Sequence, residues 1–251
     1  MANETDMLAG RIAIITGAAS GIGAGIMQKF LDEGARVLGV DLPSDQWSND
    51  DAPKDGLVRF AIDVTLDEAP QEIVKAAIHA FGSIDILVNN AGISPPGSAA
   101  DTSDAMWRKV MALNVDAVFR LTREAVPYLK KSDGARIINT GSIMSELAGP
   151  GIIAYVTSKH AVAGMTKAMA VDLGPFGIRA NFVQPGAIVT PLSEAHMADE
   201  QFVEYWNRKI PLGRLGRPAD IAPVVAFLAS PMADYVSGEG LRIDGGATCN
   251  M

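Results

Sequence analysis

Along the chain, short runs of aliphatic and β-branched residues alternate with longer stretches of helical periodicity. The runs at 11–16, 36–41, 57–62, 84–89, 136–140, 178–183 and 241–244 read as seven strands. Their apolar residues are consecutive rather than alternate, the pattern of a parallel strand covered on both faces. The intervening stretches predict helices at about 21–33, 66–81, 102–131, 154–173 and 218–229. Their ends carry readable signals. Asp101 to Asp104 offers an N-cap, Gly174 and Pro175 stop a helix, and Pro218 sits where a first turn tolerates proline. Strand and helix in alternation predict an α/β fold, a single-domain, Rossmann-like, doubly wound sandwich around a seven-stranded parallel sheet.

Two segments break the rhythm. Residues 43–56, polar and rich in Asp, Asn and Pro, read as a surface loop. Residues 187–217 are long and mixed, with Met197, Phe202, Tyr205 and Trp206 in a predicted helix, and read as a cover over a binding cleft. The polar stretch from Met1 to Met7 has neither the positive start nor the apolar run of a signal peptide and is expected to fray. No internal repeat or low-complexity linker divides residues 1–251, so one domain is expected.

Composition narrows the partners. A hydrophobic fraction of 48% with 20% charged residues is that of a folded globular chain. The net charge of -8, with no basic stripe, argues against nucleic acid or an anionic membrane. No apolar run approaches the ~18 residues of a membrane span. The single cysteine, Cys249, excludes an intrachain disulfide, and a cytoplasmic location is expected. His79, His160 and His196 do not cluster at ligand spacing, so no metal is expected.

Chemistry begins after the first strand, in TGAASGIG, Thr16 to Gly23. Glycine lets a backbone turn tightly and approach a pyrophosphate, and the amides of the following helix start attract negative charge. The spacing departs from G-x-G-x-x-G, and an ordinary strand-to-helix turn is the alternative. Asp41 closes the second strand, where dinucleotide folds place a carboxylate against ribose hydroxyls, although such a residue also caps turns. A carboxylate there repels the extra phosphate of NADP. Leu42, Pro43, Ala18 and Ala19 offer no cation to hold one, so NAD is the expected cofactor.

Tyr155 and Lys159 are four apart in a predicted helix and so share a face. A free tyrosine titrates near 10, about 3 units too high for proton transfer near neutrality. An ammonium at about 4 Å and an effective dielectric of about 20 contributes roughly 4 kcal/mol, enough for that shift before desolvation opposes it. Ser142 follows a strand, at the sheet end where open α/β folds bind ligands. The bland readings are an exposed Tyr–Lys pair, a turn cap at Ser142 and a helix-kinking contact at Asn114.

These motifs occur in order with NNAG at Asn89 to Gly92, Asn114, the Pro185-Gly186 turn with Thr190 beyond it, and IDGG at Ile243 to Gly246. Together they resemble the short-chain dehydrogenase/reductase family over nearly the whole chain, in particular its NAD-dependent secondary alcohol dehydrogenases. The resemblance implies catalytic roles for four residues. Tyr155 would be the proton donor and acceptor, Ser142 would orient the substrate oxygen, Lys159 would also hold the nicotinamide ribose, and Asn114 would support a water-linked proton path. It implies a cofactor site of Gly17, Ser20, Gly21, Ile22, Gly23, Asp41 and Leu42 at the phosphates and ribose. Asp63 and Val64 would flank the adenine, Asn90, Ala91 and Gly92 would approach the adenosine side, and Pro185, Gly186, Ile188 and Thr190 would line the carboxamide. It also implies a homotetramer.

Substrate candidates come from 93–96, 144–147, 149–152 and the cover, with Met144, Ile152 and Trp206 beside Ser142 and Tyr155. Most are apolar, which favours an uncharged, hydrophobic secondary alcohol or ketone, although Arg208 and Lys209 could reach inward if the cover closes. A 3-oxoacyl carrier-protein reductase and a sugar or polyol dehydrogenase are the enzyme alternatives. An NAD-binding redox-sensing module without turnover is the non-enzymatic one.

Overall fold

The computed structural model describes residues 6–50, 52–194 and 198–250. The expectations placed on Met197 and on residues 1–5 lie outside them. Seven strands form one parallel sheet: β1 (Ile12–Thr16), β2 (Arg36–Asp41), β3 (Leu57–Ala61), β4 (Ile86–Asn89), β5 (Arg136–Thr140), β6 (Arg179–Pro185) and β7 (Gly240–Ile243). Their order is β3-β2-β1-β4-β5-β6-β7. The order reverses between β1 and β4, and the crossovers that diverge there leave a crevice at the carboxyl ends of the strands.

All five residues of β1 are buried, as both-face coverage requires. Ala13 and Ile15 point into the core beneath α1 (Gly21–Asp32) and the last helix, and Ile14 into the core on the opposite face. That second face is covered by α2 (Ala69–Phe81), α4 (Ala117–Leu129) and α5 (Ile153–Leu173), preceded by a short α3 (Asp104–Met111). The remaining helices are α6 (Glu200–Lys209) and α7 (Pro218–Ala229), the latter packed on α1.

The sheet and α5 are joined by a buried polar ladder. Asn89 Nδ2 donates to Asn139 Oδ1 at 2.9 Å and to Thr122 Oγ1 at 3.2 Å, and Asn139 Nδ2 donates to Thr166 Oγ1 at 2.8 Å. Satisfied pairs of this kind fix one register of helix on sheet, since a shift would strand buried amides. The register matters because α5 carries Tyr155 and Lys159.

Two sequence expectations need correction. The stretch 102–131 is not one helix: α3 and α4 are separated by a π-turn, Ala112–Asp116, centred on Asn114. Its cap is Ser103, whose hydroxyl accepts from the Met106 N–H at 3.2 Å. The helix expected from residue 66 starts at Ala69, because Asp63 Oδ1 accepts from the Thr65 amide and hydroxyl and turns the chain first. The stretch 43–56 is the surface loop expected, but it is anchored at Trp47, which is only 5% exposed and whose indole N–H donates to the Phe60 carbonyl at 3.2 Å. The ring lies against Gly39, where a Cβ would come within 3.1 Å of it. Polar neighbours hid this residue from a periodicity argument.

Candidate active site

The carboxyl ends of the strands open into a cleft of about 1230 Å³. It is reached by all the site residues expected from sequence except Gly23 and Asn114. At one end is the turn from β1 into α1. Gly17 has φ +67 and Gly21 φ +54, conformations that glycine adopts freely. A Cβ at Gly17 would lie 2.9 Å from Asn90 Nδ2 and 3.0 Å from Ala91 Cα. Gly23 lies beneath the cleft wall: a Cβ there would meet the Gly17 carbonyl oxygen at 1.9 Å. Its role is therefore to let α1 pack against the turn and not to touch a ligand.

Ser20 caps α1 without a side-chain hydrogen bond, and no acidic residue occupies the first turn. The first amides of the helix thus face the cleft without a side-chain acceptor, in the field of the helix's positive end, which fits a phosphate group. Asp41 is held by two backbone amides, its Oδ2 accepting from Ala19 at 2.8 Å and its Oδ1 from Leu42 at 2.7 Å. Each oxygen keeps a lone pair for another donor, which fits the two hydroxyls of a ribose. The buried Val64 and the half-buried Asp63 line the cleft beyond it.

Asn90 is chiefly a brace. Its Nδ2 donates to the carbonyls of Thr16 at 3.0 Å and Gly17 at 3.3 Å, and its Oδ1 accepts from Thr140 Oγ1 at 3.2 Å. Thr16, which the sequence reading passed over, accepts at one hydroxyl from the amides of both Asn90 and Ala91. Both threonines close a strand at the ligand end of the sheet, and that position was the available signal.

Midway along the cleft, Ser142 follows β5 and caps a 3-10 turn, Ile143–Ser145. Its hydroxyl accepts from the Met144 amide at 3.1 Å and is hydrogen-bonded to Tyr155. Tyr155 and Lys159 share one face of α5, as helix spacing requires. Lys159 is only 5% exposed; its Nζ donates to the Thr140 carbonyl at 2.6 Å and lies 5.5 Å from the centre of the Tyr155 ring. Burial pushes the Lys159 ammonium down to about 8. The Tyr155 phenol is pushed above its ordinary value by burial, with the Ser142 hydrogen bond pulling the other way. The expectation that the ammonium holds this phenol near neutrality is therefore corrected: desolvation is the larger effect and leaves the phenol above its ordinary value.

Asn114 stands one layer behind, 1% exposed. Its Oδ1 accepts from the Ile93 amide at 3.0 Å, and its Nδ2 donates to the Ile93 carbonyl at 2.9 Å and Ser158 Oγ at 3.0 Å. Ser158 in turn donates to the Tyr155 carbonyl at 2.7 Å. The π-turn therefore ties the segment after β4 to the helix that bears Tyr155. π-turns recur at functional sites because they re-aim a side chain in this way.

The far end of the cleft is apolar. Met144, Leu147 and Ile152 form one wall, and Phe202, Tyr205 and Trp206 of α6 another, with Tyr205 edge-on to Trp206 at 5.5 Å between ring centres. Lys209 joins that wall, whereas Arg208 is exposed and paired with Glu204 at 4.0 Å. Ala247 and Thr248, which sequence reasoning did not single out, complete the rim. Among the described residues no three His, Cys, Asp or Glu side chains could together hold a metal ion, and no helix is long and apolar enough to cross a membrane.

The chain is similar to known proteins along nearly its whole length. Residues 17–248 match the family model described as Enoyl-(Acyl carrier protein) reductase. The chain is 38% identical over 259 aligned positions to 3beta-hydroxysteroid dehydrogenase 2 of Eggerthella lenta, covering 98% of this chain and 97% of that one. A short-chain dehydrogenase/reductase described as glucose/ribitol dehydrogenase, from Brucella melitensis, superposes with a TM-score of 0.88 at 31% identity, covering 96% of this chain and 98% of that one. A 3-ketoacyl-(acyl-carrier-protein) reductase from the same organism, complexed with NADH, superposes with a TM-score of 0.87 at 33% identity, covering 96% and 99%. Matched in sequence and fold over almost its full length, the chain belongs to the short-chain dehydrogenase/reductase family of oxidoreductases.

Proposed function

We propose that this oxidoreductase uses NAD(H) and interconverts a hydrophobic secondary alcohol and its ketone, with Tyr155 as the general acid and base. The observation that carries the reading is the meeting of Ser142, Tyr155 and Lys159 in one cleft with the glycine turn and Asp41. The cleft exceeds the roughly 300–1,000 Å³ of a single small-ligand site, which supports a cofactor and a substrate side by side.

A nicotinamide dinucleotide would supply the hydrogen and electron pair that pass to or from the substrate carbon. The residues here hold and protonate the oxygen. Ser142 donates a hydrogen bond to it, and Tyr155 gives it a proton in reduction or takes one in oxidation. A phenol raised by burial is neutral at pH 7, the form that donates. Reduction is thus favoured near neutrality, and oxidation gains as the pH rises and phenolate forms. Lys159, with one N–H on Thr140, has two left to hold a ribose hydroxyl and stabilise negative charge at Tyr155. Asn114 positions α5 through Ser158 and Ile93.

NAD rests on Asp41 and on the absence of any cation at Leu42, Ala18 or Ala19. Apolar walls support a hydrophobic substrate. The second reading, a 3-oxoacyl carrier-protein reductase, is supported by the matched family model and by the NADH-bound relative, whose cofactor weakens the argument that NAD disfavours such reductases. NADH oxidation with a cyclic or aromatic ketone, compared with an acyl thioester, tests the two. Faster ketone turnover with NADH than with NADPH is expected; a preference for NADPH, or for the thioester, would overturn the corresponding part. The proposal includes a cytoplasmic homotetramer, and light scattering at the mass of one chain would remove the tetramer.

A further inference from the structure

Lys209 is the part of the cleft that this function leaves unused. Phe202, Tyr205, Trp206 and Lys209 are spaced i, i+3, i+4 and i+7, so they form one stripe on α6, and all four line the cleft. The cover thus presents an aromatic wall that ends, about 10 Å along the helix from Phe202, in an ammonium. Lys209 is half-buried. Its Nζ donates to the carbonyl of Asn250, whose Nδ2 donates back to the Lys209 carbonyl at 2.9 Å. That leaves two ammonium N–H groups, and among the described residues no carboxylate lies within ion-pair distance. The only carboxylates lining the cleft among the described residues, Asp41 and Asp63, stand on the strand ends at the nucleotide side. Among the described residues this half-buried ammonium lines the cleft with two free N–H groups and no carboxylate partner, so an anion entering the cleft can make a charge-assisted hydrogen bond there.

We infer that the substrate is amphiphilic: an apolar body bearing the alcohol or ketone, and an anionic group, a carboxylate or its equivalent, held by Lys209 at the distal end of the cover. The inference rests on the oxidoreductase reading and refines the uncharged substrate expected from sequence. The Asn250 carbonyl preorients the ammonium, and the aromatic stripe beside it offers the apolar body a wall on the same helix face.

The test uses para-carboxy-α-methylbenzyl alcohol and its carboxamide, which differ only in charge at the end away from the carbinol. Wild-type protein should favour the acid by about tenfold or more in kcat/KM, a preference that shrinks with added salt. Lys209→Met should raise KM for the acid by a similar factor, leave kcat and the amide unchanged, and be rescued in part by Lys209→Arg. Turnover of both compounds without preference, or equal damage to both by Lys209→Met, overturns the anchor while sustaining the oxidoreductase; the latter is what a purely structural clasp on Asn250 would produce. Turnover of neither compound counts against the oxidoreductase reading itself.

Discussion

Helices α1 and α6 close opposite ends of one cleft and are of similar length, 12 and 10 residues, yet they are anchored differently. α1 buries Gly23, Ile26 and Phe30, and its first turn is locked by glycine contacts too close for any side chain. α6 buries no residue fully, and Tyr205 on its cleft face is 53% exposed. A site for an invariant ligand, a dinucleotide, tolerates rigidity because the same phosphates and ribose always arrive. A site that admits and releases substrate is drawn from the less stable parts of a fold. Mutations should therefore act sharply at the α1 end and gradually at the α6 end.

The largest effect is expected from Gly23→Ala. The new methyl cannot coexist with the Gly17 carbonyl oxygen 1.9 Å away, so the turn must move. A displacement costing about 3 kcal/mol would weaken NADH binding by at least about a hundredfold, read by fluorescence titration beside a thermal melt. Binding within a few-fold of wild type would show that the cradle is plastic and end the contrast.

Lys159→Met separates activity from stability. Loss of the charge beside Tyr155 should lower kcat about a hundredfold. Stability should move the other way. With the ammonium held down to about 8, folded and unfolded chains both carry the proton below pH 8, and burial then opposes folding in full. Between pH 8 and the ordinary lysine range only the unfolded chain is protonated, so wild-type stability rises with pH in that window. The variant should lack this rise and be more stable at pH 7, by up to about 3 kcal/mol less the cost of leaving the Thr140 carbonyl without its donor. Denaturant melts at pH 7 and 9.5 measure both.

Asp41→Ser should raise KM for NAD about tenfold and narrow the preference over NADP, because one carboxylate supplies both the ribose contact and the repulsion. Trp206→Ala, on the unburied cover, should change KM for an apolar substrate only a few-fold and stability by less than about 1 kcal/mol. A large loss of stability from that change would mean that α6 is as firmly built as α1.

The same contrast explains what could be read from the sequence. Strands and the glycine turn were legible because continuous apolar runs and a Gly-rich step after β1 have one common structural cause. Ser142, Tyr155 and Lys159 were legible through helix spacing and through the family resemblance. What escaped depended on contacts between distant segments. The π-turn at Asn114 exists because that side chain is drawn to Ile93 and Ser158, and no local propensity records it. Trp47 is buried by a loop folding back on Gly39, although its neighbours are polar. The rise of the Tyr155 phenol comes from burial, which depends on the segments that close over it and not on the helix spacing that pairs it with Lys159. The sequence left both Arg208 and Lys209 as cations that could reach inward, and only the packing of α6 separates Lys209, which lines the cleft, from Arg208, which does not.

The most direct measurement is the single-turnover rate of ketone reduction by NADH in Tyr155→Phe, with NADH affinity measured alongside. The ring and its packing remain and only the hydroxyl is lost, so the account predicts unchanged NADH binding and a rate at least about a hundredfold lower. A variant that binds NADH normally and reduces the ketone at nearly the wild-type rate would contradict it.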